Sequence, residues 1–324
     1  MKALYYHSLP VLYHAVSAYQ LLEVLLHRTL VHQNEPAVLV VPDFIKEKYP
    51  NIMLIASRRL FDRVCLFPYT QIPHTTEPEI TACALNAWQT LFGDARFSRI
   101  YVAGAHFYFS LCLIQKGLPF SMFEDAAGML TRPRTLFAPL LKTYPVQAAI
   151  AAKYGLFTGE HPLVQTVICL TRAQAFVPQS VRCEDFCVED ALEALSKKQR
   201  RKIVSLFVRT PIRTQANAVF LTQQLSALGV LTAEQHHVFY REMFASLPEN
   251  TRLFLKVHPD DKTDYTALLP DAQICTAPFP SELLPYVLTP LPKNLYTAGS
   301  TGYHNLMHHF FVYQPKGGVW CPVS

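Results

Sequence analysis

Two α/β domains with parallel sheets are the fold class predicted for this chain, and three observations predict it. Apolar runs of strand length alternate with segments of helical spacing in both halves of the sequence. At 324 residues the chain gives each half room for its own core. A polar, charge-dense passage from Gln179 to Lys202 lies between the halves. The expected layout is residues 1–180, a connection over 181–202, and a second domain over 203–324, the two facing across a cleft.

The alternation opens with a strand at Ala3–Tyr6, a helical segment over Val11–Arg28 and an extended run, Ala37–Val41, that ends at Pro42 and Asp43. Arg63–Phe67 (RVCLF) is a third strand, and Ile80–Phe92 has helical spacing. Arg99–Ala103 is a strand entering the loop Gly104-Ala105-His106, with a helix over Phe107–Gln115 behind it. Phe120–Phe123 is a strand that ends on Glu124-Asp125-Ala126-Ala127-Gly128, and Val164–Leu170 is the last strand of this half. The run KKQRRK at Lys197–Lys202 is most simply a solvated helix end favoured by the helix dipole. Contact with anionic lipid headgroups is its other reading.

The second half repeats the pattern. Ile203–Val208 is a buried-type strand ending in Arg209-Thr210-Pro211, and Asn217–Gly229 and Ala233–Ser246 read as helices. Phe254–Val257 is a strand that delivers Lys256, His258 and Pro259 to its C-terminal end, the end at which open α/β sheets bind ligands. Ala272–Thr276 is a strand, Pro280 suits a helix start, and Asn294–Thr297 is a strand closed by Gly299-Ser300-Thr301-Gly302. A helix over Tyr303–Phe310 is expected next.

Half of the residues are hydrophobic and 16% are charged, the balance of a globular protein. The net charge of +5 fits anionic substrates or an anionic membrane surface and is too weak to argue for nucleic acid. Eight cysteines form no CxxC pair, so buried thiols in a reducing compartment are expected, without a disulfide framework or zinc site. No signal-peptide pattern opens the chain, and no window approaches the roughly 18 apolar residues of a spanning helix. The expected location is cytoplasmic, with at most peripheral contact at the inner membrane face. Oligomeric state stays open.

GxGxxG after a strand, GxxxxGK[ST], D-x-D, GxSxG and HExxH are all missing. Their absence leaves neither a dinucleotide fingerprint nor a Walker loop, weakens the case for a metal-held diphosphate, and argues against an α/β-hydrolase and a zinc peptidase. His304 and His308 stand at helical spacing without a carboxylate in the same turn, which makes a poor metal site. Three strand-end clusters remain. Glu124-Asp125 is either a helix cap or a general base in a cleft. Lys256 and His258 set a fixed cation beside a proton donor. Ser300-Thr301 are hydroxyls in a glycine-flanked turn that suits a phosphate. A base in one half, an acid in the other and a phosphate nest describe displacement of a nucleotide phosphate by a hydroxyl.

FEDAAG at Phe123–Gly128, FLKVHP at Phe254–Pro259 and GSTG at Gly299–Gly302, in this order and spacing, resemble the bacterial sialyltransferases, most closely glycosyltransferase family 52. The family is related in design to the bacterial polysialyltransferase and marine sialyltransferase families. FVRTP at Phe207–Pro211 and PFPSELL at Pro278–Leu284 are softer matches. The resemblance implies a GT-B fold, two Rossmann-like domains facing across a cleft. It also implies inverting, metal-independent transfer of sialic acid from CMP-sialic acid to a hydroxyl of a surface glycan of lipooligosaccharide or capsule type. No cofactor beyond the donor substrate is implied.

Carried over by position, Glu124 or Asp125 is the base and His258 the acid. Ser300 and Thr301 hold the CMP phosphate, Glu282 meets the ribose, and Lys256, Pro259 and Thr210 complete the donor site. The glycine that directly follows the acidic pair in the family is Ala126 here, with Gly128 two positions later, so the base stays open between Glu124 and Asp125. His106, Tyr108 and Arg132 are acceptor-side candidates by nearness to strand ends. Asp260 and Asp261 either fold back toward His258 or begin a solvated helix. The alternatives are the same fold with another nucleotide sugar such as CMP-Kdo or a uridine-type donor, a non-catalytic scaffold of polysaccharide assembly, and an RNA-binding protein.

Overall fold

The computed structural model describes residues 8–127, 129–131, 138 and 140–323. The chain divides into two compact units, residues 1–206 and 207–324. The first carries β1 (Val11–His14), α1 (Ala18–Val31), β2 (Ala37–Pro42), α2 (Ile45–Lys48), α3 (Leu54–Ser57), β3 (Arg63–Phe67) and α4 (Glu77–Phe92). These are followed by β4 (Arg99–Ala103), α5 (Phe109–Gln115), β5 (Phe120–Phe123), α6 (Pro145–Lys153), β6 (Val164–Cys169), β7 (Arg182–Asp185) and α7 (Val188–Ala194). α8 (Lys197–Phe207) runs to the boundary between the units.

All seven strands of this unit are parallel, in the order β3-β2-β1-β4-β5-β6-β7. The order reverses between β1 and β4, which makes that gap the topological switch point. Every residue of β1 and β2 is buried, as expected for central parallel strands covered on both faces. On one side of the sheet Leu12, Val40, Phe67, Trp88, Val102 and Phe109 pack into one core.

The second unit holds β8 (Ile212–Arg213), β9 (Ala218–Leu221), α9 (Ala233–Ala245), β10 (Leu253–Lys256), β11 (Gln273–Cys275), α10 (Leu284–Val287), β12 (Leu288–Thr289), β13 (Asn294–Thr297), β14 (Phe311–Lys316) and β15 (Val319–Pro322). Its main sheet runs β11-β10-β9-β13-β14-β15, parallel except for the last pair. Here the switch point lies between β9 and β13. β8 and β12 pair separately.

Several sequence expectations are corrected. Val11–His14 is the first described strand, not the start of a helix; the helix begins after Ser17, whose side chain and that of Gln20 form a capping box. The strand expected at Ala3–Tyr6 lies outside the described residues. Ile203–Val208 is no strand: Ile203, Val204 and Leu206 are the buried face of α8. Nor is Asn217–Gly229 a helix, since its AVFL core is the fully buried central strand β9. Short apolar runs carry no period that separates strand from helix. Tyr303–Phe310 is only a 3-10 turn at Gly302–Asn305, followed by the β14–β15 hairpin at Gly317-Gly318. Val164–Cys169 is not the last strand of its sheet, because β7 adds an edge beyond it.

Candidate functional site

In the first unit, Glu124 and Asp125 leave the C-terminal end of β5 and part ways. Glu124 turns inward and is 2% exposed. Its Oε1 accepts the Leu170 N–H at 3.0 Å and its Oε2 the Leu130 N–H at 3.4 Å, so it splices the loops after β5 and β6. Asp125 stays at the rim with a side chain 22% exposed. Its Oδ1 accepts from Gln20 Nε2 at 2.8 Å and lies 3.6 Å from Nδ1 of His106.

Gln20 is locked from both ends. Its Oε1 accepts the backbone N–H groups of Val16 and Ser17, which leaves Nε2 as the atom facing Asp125. The side chain passes so close to Gly104 that a Cβ there would stand 2.9 Å from Nε2. Gly104 also has φ +74°, a region L side chains rarely adopt. His106 is buried against Phe157, with ring centroids 5.9 Å apart and planes 16° apart. Burial lowers its pKa, and the Asp125 carboxylate opposes that shift. Gln20, from the first turn of α1 after β1, thus meets Gly104 and His106 after β4 and Asp125 after β5, around the switch point. The result is a half-open carboxylate held in one orientation beside a neutral imidazole, an arrangement able to take a proton from a hydroxyl.

Among the other first-unit candidates, Tyr108 is buried with its hydroxyl 2.9 Å from Nδ1 of His74. Arg132 and Gly128 lie outside the described residues.

In the second unit, Lys256, Leu221 and Thr297 are level across β10, β9 and β13. The residues just beyond them, His258, Thr222 and Ser300, therefore belong to one rim. Pro259 ends the extended run and opens a turn in which Asp261 N–H reaches the His258 carbonyl. The His258 N–H is held by Thr222 Oγ1 at 2.9 Å. Its Nδ1 accepts the Asp260 N–H at 3.2 Å, which puts the proton of the neutral ring on Nε2.

Asp261 neither folds onto the imidazole of His258 nor starts a helix. Its side chain is buried, accepting from Tyr265 OH at 2.6 Å and from Thr222 Oγ1 at 3.4 Å, with His236 Nε2 at 3.6 Å. This network braces Thr222 and so the backbone of His258. Sequence reasoning missed Gln20 and Thr222; the SAYQ capping pattern at Ser17–Gln20 was the one visible signal for either.

Lys256 is 4% exposed, and its Nζ donates to the carbonyls of Val257 (3.2 Å) and Ala277 (2.9 Å), 4.7 Å from the centroid of the Phe279 ring. Burial lowers its pKa to about 8. Glu282 is buried as well, and burial raises its carboxyl to about 7 against hydrogen bonds from Ser281 and Asn305. Ser300 Oγ accepts the Gly302 N–H at 3.3 Å, and Thr301 leads into the 3-10 turn. No α-helix starts there to lend its dipole, so a phosphate at this turn would rest on backbone N–H groups and hydroxyls alone. Thr210 is exposed ahead of β8, outside the six-stranded sheet. His304 and His308 share no helix. Among the described residues no group of three or more potential ligands could hold a metal ion, and no helix is long and apolar enough to cross a membrane.

No protein-family model matches the chain, and no curated protein matches it. Solved structures do resemble it. UDP-GlcNAc 2-epimerase from Methanocaldococcus jannaschii aligns over 94% of this chain and 83% of its own, at 10% identity and a TM-score of 0.55. Arabidopsis thaliana UGT89C1, solved with UDP-L-rhamnose, aligns over 95% and 79%, at 9% identity and a TM-score of 0.54. The glycotransferase of kitacinnamycin aligns over 96% and 82%, at 15% identity and a TM-score of 0.50. At such identities the likeness is one of fold. The chain has the α/β fold of GT-B type, with two Rossmann-like units.

Proposed function

We propose that this chain is an inverting, metal-independent glycosyltransferase that moves sialic acid from CMP-sialic acid to a hydroxyl of a surface glycan. The observation that carries the proposal is the Asp125 carboxylate, held by Gln20 beside His106 at a strand-end rim. In the step proposed, the acceptor oxygen bonds to the anomeric carbon and its proton passes to Asp125. The bond from that carbon to the CMP phosphate oxygen breaks, and the electron pair leaves with the phosphate. His258 offers its Nε2–H to that oxygen, and the Ser300-Thr301 turn supplies further donors where the charge develops. Glu282, Lys256, Pro259 and Thr210 are assigned to the donor side by resemblance. Since Lys256 and Glu282 are buried, they act by shaping the loop beneath the nucleotide. One displacement on one face inverts the anomeric configuration.

A uridine-nucleotide donor is the second reading, prompted by the UDP-L-rhamnose bound to the similar Arabidopsis structure. Thermal shift with CMP, UDP and their sugars tests both. A nucleotide at a hundred times its Kd adds about 2.7 kcal/mol, a rise of a few degrees. Stabilisation by CMP and not by UDP is expected. The reverse result assigns the donor to UDP-sugars, and no response to either supports the scaffold.

A further inference from the structure

The basic run at Lys197–Lys202 is not the helix end that the dipole would favour. It fills the first half of α8, Lys197–Phe207, with no acidic residue in the first turn. Cations there face the positive end of the helix dipole and cost stability. Lys198, Arg201, Lys202 and Ser205 fall at helical spacing on one face, while Ile203, Val204 and Leu206 are buried.

Onto that face comes Arg58 from the end of α3. Its Nη1 donates to the Lys202 carbonyl at 3.0 Å and to Ser205 Oγ at 2.7 Å. Arg59, exposed beside it, holds φ 53°, a left-handed position that glycine fills without strain. Burial, and then Lys198, Arg58 and Arg59, lower the pKa of the Lys202 ammonium. Among the described residues none of these five cations makes an ion pair. Arg200 is apart from them, turned back onto the Leu192 carbonyl.

We propose that the face formed by Arg58, Arg59, Lys198, Arg201 and Lys202 is a docking surface for an anionic phospholipid bilayer. Five cations gathered against their own repulsion, three of them in the N-terminal half of α8, fit a surface of fixed negative charge. Met53, just ahead of α3 and five positions before Arg58, is 47% exposed and offers an apolar side chain to the solvent. A nucleic acid would ask for aromatic platforms, and the neighbouring rings of Tyr49 and Phe61 are buried.

The test is co-sedimentation of the full chain with phosphatidylcholine vesicles, with and without phosphatidylglycerol as about one-third of the lipid. Binding is expected only to the anionic vesicles and falls as salt is raised. Loss of each cation weakens it about five-fold, so Arg59→Ala/Lys198→Ala/Arg201→Ala together lower it on the order of a hundredfold. Lys293→Ala/Lys316→Ala, exposed in the second unit, leaves it unchanged. These surface variants keep the far-ultraviolet spectrum of the wild type and an unfolding midpoint no lower than its own. Equal binding to neutral vesicles, no binding to anionic ones, or an unaffected triple variant overturns the proposal. Tighter binding to single-stranded RNA than to anionic vesicles, lost in the same triple variant, overturns it in favour of a nucleic-acid surface.

Discussion

Replacing Glu124 and Asp125 one at a time separates two roles that adjacent carboxylates conceal. Glu124→Ala strips the acceptors from two buried N–H groups, those of Leu170 and Leu130. An unsatisfied buried donor costs about 1–3 kcal/mol, and the longer Leu130 bond belongs at the low end. The lost methylene adds about 0.8 kcal/mol, so the total is about 3–5 kcal/mol. That is a large share of the stability of an ordinary domain. Glu124→Gln keeps one acceptor oxygen and costs about 1–2 kcal/mol.

Asp125→Asn is different in kind. The amide oxygen still accepts from Gln20, so stability moves by less than about 1 kcal/mol. The base is lost, however, and turnover falls about 10²–10⁴-fold, or roughly 3–5.5 kcal/mol on the barrier. Urea unfolding and CMP release from CMP-sialic acid with an acceptor panel read the two effects side by side. A stable but inactive Glu124→Gln next to an active Asp125→Asn would refute the assignment of the base. It would also show that burial against two backbone donors does not bar Glu124 from chemistry.

Three further outcomes follow from the same geometry. His258→Ala should cut turnover about 10²–10⁴-fold with the fold intact, and Thr222→Val, which removes the acceptor of the His258 N–H, should lower it while nucleotide binding persists; wild-type turnover in His258→Ala excludes it from the mechanism. Gly104→Ala should cost about 1–3 kcal/mol through its positive φ and should also lower turnover by pushing Gln20 away from Asp125, whereas unchanged kinetics would mean that Gln20 does not position the carboxylate. Mild acid should weaken the first unit, while Glu282 pulls the second the other way, each read through one tryptophan, Trp88 in the first unit and Trp320 in the second, with the other replaced by Phe.

The signs of that last response come from three buried groups. Burial lowers His14 and His27 from 6.5 to about 3. Their unfolded forms therefore bind protons first, and the first unit loses stability as pH falls from 6.5 toward 3. At about 1.4 kcal/mol for each pH unit of the gap, the pair removes on the order of 9 kcal/mol by the end of that range. Glu282 is raised from 4.5 to about 7, so its folded form binds the proton first. Its contribution to the second unit should grow by about 3 kcal/mol between pH 7 and 4.5, and Glu282→Gln should abolish that contribution. Burial lowers His236 in the same unit and works against it, so the comparison is with the variant: a wild type whose acid response matches that of Glu282→Gln would mean that Glu282 is not the buried carboxyl described.

The sequence disclosed the rims better than the elements behind them, for a physical reason. A strand end shows itself where an apolar run stops at proline, glycine or a charge, as at Phe123-Glu124 and His258-Pro259. Both of those stops lie at C-terminal ends of parallel strands. The interior of a buried strand has no such punctuation, which is why AVFL at Ala218–Leu221 passed for helix although it is the central strand of its sheet. The Ser17–Gln20 capping box and the Gly317-Gly318 hairpin were written in plain turn chemistry and were overlooked among longer apolar runs.

What no local pattern could convey was the division of labour at residues 124 and 125. It depends on residues 46 and 105 positions away in sequence, Leu170 for one carboxylate and Gln20, in the first turn of α1, for the other. Both side chains are acidic and both end the same strand. Their roles differ only through the partners that folding brings, and those partners make Asp125, not Glu124, the carboxylate with an open side.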